Sequence, residues 1–141
     1  MRINLNIVRS TIGTLMSKSF SKLCPDFNQW PRRWMGFPED VPFGEKIIDI
    51  FRPFVEDLIE SKYTEKTTRK HIDNLWLLGG ELVREININP ELRNSDVIEL
   101  LMENIGLDGG PYCRHLETEA ELDSFDTTCR KLFKFLKQQQ G

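Results

Sequence analysis

Two side chains with nucleophilic or metal-binding chemistry stand close together in this chain, Cys113 and His115 in the stretch LDGGPYCRHLE. A cysteine beside a histidine can act as an activated nucleophile, and the same pair can begin a zinc site. The chain's other thiols and imidazole are Cys24, His71 and Cys129. There is no Cys-x-x-Cys and no His-x-x-x-His pair, and structural zinc usually shows one. A spacing of two on a loop fixes no dyad geometry. His71 and Cys129 fall on apolar helix faces, where a hydrogen-bonded histidine and an inert thiol are the common case. Gly109 and Gly110 form no phosphate loop, because no Gly-Lys-Ser/Thr ending follows. The carboxylates spread along helix faces as solvated charge. The expectation is a non-enzyme with no catalytic residue, no metal, no cofactor and no small-molecule substrate.

Binding chemistry is better represented. Residues 24 to 44, CPDFNQWPRRWMGFPEDVPFG, hold four prolines and two glycines, so neither a long helix nor a central strand is expected there. Within it, Trp30, Arg32, Arg33 and Trp34 alternate rings with guanidinium groups. Such a run can stack on bases and pair with phosphates, or anchor a protein partner through Trp30 and Trp34. The third use, an extended strap with its rings tucked onto the core, is favoured, since large aromatics are usually buried for packing. A second basic cluster, Lys62, Lys66, Arg69 and Lys70, sits at the start of a long helix, where phosphate contacts are favourable. Glu60, Glu65 and Asp73 dilute it, and a mixed solvated face explains it equally well.

The net charge of −3 hides an asymmetry. Residues 1 to 38 carry a balance of +5, and residues 39 to 141 a balance of −8. A basic arm on an acidic body can meet nucleic acid. It can equally lie on that body.

These side chains hang on a helical frame. Thr64 to Ile88 reads as the central helix: Thr68, His71, Leu75, Leu78, Leu82 and Ile86 make one stripe about 60° to either side of Leu75. Ile72, Trp76, Gly79 and Val83 widen it, so the helix should be covered on more than one flank. Thr64 is its expected N-cap, and the stretch before Pro90 ends it. Gly79-Gly80 costs roughly 1 kcal/mol per glycine against alanine, which predicts a kink or a backbone in close contact. A helix over 45 to 61 precedes it, kinked or started at Pro53. Another is capped by Asn94 or Ser95 and stopped by Gly106 near Ile105, and a last one opens on the capping box Thr118–Glu121. Residues 1 to 23 form a weaker candidate helix, with Ser10 or Thr11 as cap.

The fold class is therefore all-α, a single domain of four or five helices, with residues 1–44 as arm and strap and 45–141 as core. A length of 141 residues suits one core. No run approaches a membrane span, and the N-terminus is a poor signal peptide. Three cysteines without framework spacing point to a reduced, cytoplasmic setting.

The order FRPFVEDLIESKYTEKTTRKHIDNLWLLGGELV, a helix, a short link, then a Thr-led helix with a basic first turn, resembles the SAM-like core-binding domain of tyrosine recombinases and phage integrases. The resemblance runs from about 47 to 136. It implies a SAM-like bundle that clamps DNA, with phosphate contacts at Lys66, Arg69 and Lys70. No His-x-x-Arg with a later nucleophilic tyrosine is present, which implies a free-standing relative. The expected function is thus a non-enzymatic accessory protein of a phage or other mobile element. It would bind DNA or a nucleoprotein complex through the basic arm and Lys62 to Lys70. The alternative is a protein-binding module or inhibitor that uses Trp30, Trp34 and the acidic body to occupy a partner's basic surface.

Overall fold

The computed structural model describes residues 20–140. Five α-helices follow a helical turn at 20–23: α1 (Trp30–Trp34), α2 (Val41–Glu60), α3 (Glu65–Ile88), α4 (Val97–Asn104) and α5 (Glu119–Gln140). The helix expected over 1–23 otherwise lies outside the described residues. Among those residues no strand forms, and the only bridge is an isolated one between Gly106 and Gly109. The fold is an all-α bundle.

The central helix is α3, packed against α1, α2 and α5. Its expected stripe is the buried one: Leu75, Leu78 and Ile86 have no exposure, and Thr68 and His71 are buried with them. Thr64 caps it, accepting from the Thr67 amide at 3.1 Å. α2 contributes Ile47, Phe51 and Val55, all without exposure. Pro53 neither starts α2 nor splits it; it sits exposed inside the helix.

The strap is not extended, and it is not separate from the core. Residues 27–44 fold into a 3-10 turn (Phe27–Gln29), α1, a second 3-10 turn (Pro38–Asp40) and the first turn of α2. The prolines cause this. Pro31, Pro38 and Pro42 each stand in a first turn, where an absent N–H leaves nothing unsatisfied. Phe27, Trp30 and Phe43 join the same core as α3 and α5. Asp40, fully buried, ties the segment down. Its carboxylate accepts from the Gly36 and Phe37 amides at 2.8 and 2.9 Å, and from Arg93 Nε at 2.9 Å.

The glycine pair of α3 marks a close neighbour. The Trp34 ring lies where a Gly79 Cβ would be, and its Nε1 donates to the Trp76 carbonyl at 3.0 Å. Pro31 lies against Gly44 of α2 in the same way, 2.9 Å from the position of a Cβ there.

Two expected helix ends differ. α4 is capped by Asp96, whose carboxylate accepts from the Ile98 amide at 3.0 Å, and not by Asn94 or Ser95. Those residues end the 3-10 turn that Pro90 begins. Gly106 does not supply a left-handed stop. The positive φ belongs to Gly109, at 128°, where the following Gly110 amide reaches Asp126 on α5 at 3.0 Å. At the start of α5 the Glu121 amide donates to Thr118, and the Glu121 carboxylate accepts from the Thr118 hydroxyl instead of the cap amide.

Candidate nucleic-acid interface

The α3–α5 contact has a polar centre. Asn74 donates to the Ser124 carbonyl at 3.1 Å and to the Thr128 hydroxyl at 2.9 Å. His71 Nδ1 lies 2.7 Å from Thr128 Oγ1. The direction of that bond follows the imidazole tautomer, since the Thr128 hydroxyl also reaches the Ser124 carbonyl at 3.3 Å. Burial, and then the charge of Lys131, pull the His71 pKa below the usual imidazole value, so the ring is neutral at pH 7.

His71 is only 7% exposed, yet it lines an open groove of about 1040 Å³ between the start of α3 and α5. Nε2 has no partner among the described residues. Tyr63 forms one wall, its ring 5.5 Å from that of His71. Lys131 donates to the Tyr63 hydroxyl at 2.8 Å.

Lys66, Arg69 and Lys70 from α3 and Lys131 from α5 line this groove. Arg69 is held by Glu65, at 2.8 Å. The Arg69 contact, helped by the nearby charge of Lys22, keeps the Glu65 carboxyl below its usual range. Lys66, Lys70 and Lys131 have no ion-pair partner among the described residues. They surround the positive end of a 24-residue helix dipole. Four cations thus face two acids in the lining, Glu65 and Asp73, and the arrangement can hold an anion by charge.

The other expected residues lie elsewhere. Lys62 is exposed beside this groove but does not line it. Arg32 is exposed on α1. Arg33 pairs loosely with Asp26 at 3.6 Å and lines a different groove, with Trp34. Trp30 is 3% exposed, and its ring packs on Phe27, Trp34 and Trp76 at 4.7 to 5.5 Å. Trp34 is half-buried. Cys113 is buried while His115 is exposed, so the loop does not present the pair together. Burial pushes the Cys113 thiol up and the Cys24 and Cys129 thiols up to about 12. Among the described residues no cluster of His, Cys, Asp or Glu is placed to hold a metal ion, and no helix is long and apolar enough to cross a membrane.

Lys131 was not foreseen as a site residue. The lysines of the last helix were visible in the sequence, but their approach to α3 comes only from packing. No family model matches the chain, and no curated protein or solved structure matches it.

Proposed function

We propose that this chain is a non-enzymatic nucleic-acid-binding protein that holds DNA phosphates in the groove at the start of α3. The observation that carries this reading is convergence. Cations from α3 and α5 meet at a helix's positive end, in a groove that the buried His71 also lines. Phosphate contacts of this kind position a duplex without reading its sequence. The succession of α2, a short link and a Thr64-capped basic helix supports kinship with SAM-like core-binding domains, and with it an accessory role in a mobile element. The protein-partner reading has less support, since the Trp30 it needs as an anchor is buried.

Fluorescence anisotropy with a labelled duplex tests it. About three phosphate contacts should weaken binding by tens of fold between roughly 50 and 200 mM salt. Lys66→Glu with Lys70→Glu should abolish most of the low-salt affinity. Absence of binding at either salt, or affinity that ignores salt, retires the proposal.

A further inference from the structure

A second cationic groove, of about 440 Å³, lies near the other end of α3. Arg33 comes to it from α1, Arg84 from α3, and Arg114 and His115 from the loop before α5. All four are exposed. Three arginines from separate parts of the chain gain nothing from one another's company, since like charges repel. The one acid in the lining, Glu81, is turned inward: its side chain is only 11% exposed, it touches Arg84 loosely at 3.7 Å, and it lies beside the buried Cys113 thiol. Arg33's pair with Asp26 is exposed and of the kind worth little. The groove is thus net positive on a chain of net charge −3.

Both grooves border the same face of α3. Lys66, Lys70, Asp73, Leu77 and Arg84 recur at steps of three, four and seven, which lie along one helical side. Lys70 and Arg84 are fourteen residues apart in that helix, or about 21 Å along its axis. Asp73 lines the first groove and Leu77 the second, and no Lys or Arg of α3 stands between Lys70 and Arg84, so a continuous run of phosphate contacts is not on offer. Two separated phosphate rows are. A major groove is about 12 Å wide, and the sugar-phosphate ridges on either side widen the span to roughly what the clusters offer.

We infer that the two grooves act as one surface, which takes double-stranded DNA with α3 bridging a major groove and one phosphate ridge seated in each cationic groove. This rests on the proposed nucleic-acid function and specifies its ligand as duplex, not single-stranded, DNA. The guanidinium groups suit it, because each can contact a phosphate with two N–H donors.

The test measures salt slopes of binding to a duplex of about 16 bp, and to either of its strands alone, for three proteins: wild type, Lys66→Gln/Lys70→Gln, and Arg84→Gln/Arg114→Gln. All four positions are exposed, and circular dichroism confirms that the variants fold. The inference expects the duplex to be preferred, and each variant to lose about one unit of slope per cation removed. An unchanged slope in the arginine variant, with a reduced slope in the lysine variant, overturns the two-groove surface and leaves the proposed function standing. Equal affinity for single strands overturns the duplex assignment. Failure of the wild type to bind any probe removes the proposed function and this inference together.

Discussion

Two buried polar residues set what acid does to this protein. His71 has its folded pKa pulled down by burial and by Lys131. The unfolded chain takes up that proton near pH 6.5, while the folded chain resists until lower pH. The stability it contributes is complete above about pH 6.5 and is lost as the pH falls below it. Urea unfolding at a pH near neutral and again near 5.5 should show this drop, and His71→Gln should flatten it. Removing the shared hydroxyl in Thr128→Val leaves Asn74 and His71 short of a partner, at a cost of about 1 to 3 kcal/mol. Asp40 acts lower on the scale. Burial raises its pKa, but the Phe37 and Gly36 amides, with Arg93 and Asn87, outweigh that and hold the carboxyl below its usual value. Its contribution is present above about pH 3.8 and disappears as the pH falls through the folded value. Asp40→Ala strands the Arg93 guanidinium and two amides, and should cost on the order of 3 kcal/mol in chemical denaturation at pH 7.

At the scale of elements, α1 and α3 are held together by one ring over two glycines. A Cβ at Gly79 would occupy the space of the Trp34 ring, whereas one at Gly80 would meet Trp34 Cδ1 at 3.5 Å, an ordinary contact. Adjacent and chemically identical substitutions should therefore have opposite signs. Gly80→Ala should raise the thermal midpoint, because alanine is favoured in a helix by up to about 1 kcal/mol. Gly79→Ala should lower it by expelling Trp34; a rise there would disprove the close approach. The cost of a glycine pair in a helix was legible in the sequence and pointed to a kink or a close backbone; the close neighbour is instead a side chain, the Trp34 ring. Which neighbour was not legible, because Trp34 comes from α1, far back along the chain from Gly79. The period of α3 was legible for the same reason that it is buried: a wide apolar arc has few alternatives. The strap misled because its prolines read as breakers, when Pro31, Pro38 and Pro42 each begin a helical turn. Asp40's bonds to the Gly36 and Phe37 amides are local, but its ion-pair partner Arg93 is 53 positions away and left no sign in the sequence.

At the scale of the whole molecule, the candidate surface was half legible. Lys66, Arg69 and Lys70 stood out as a cluster on one helix turn, and they do share a groove. Arg32 and Arg33 were joined to them only by charge, and the fold sends Arg33 to the opposite end of α3. Charge patterning counts cations, and tertiary packing decides which of them meet. The cysteines give a measure of the fold as a unit. Cys24, Cys113 and Cys129 are 6%, 1% and 0% exposed, and they draw on the segment before α1, the loop and α5. Reaction with a thiol reagent should be slow in the native protein, and in urea all three should become reactive over the same transition. Fast labelling of Cys113 alone would show that the loop opens independently of the bundle.

The chain has three tryptophans, and all of them meet at the α1–α3 junction, with ring centroids 5.5 to 5.6 Å apart. Its intrinsic emission is therefore a report from one place. The rings are near enough to couple their transitions, and a near-ultraviolet dichroism band should be the signature of α1 seated on α3. Two of the three also border the arginine groove, while none borders the lysine groove. A ligand entering at one end of α3 changes the light, and a ligand entering at the other leaves it as it was. The fold has thereby given the molecule an unlabelled optical marker that tells its two cationic sites apart.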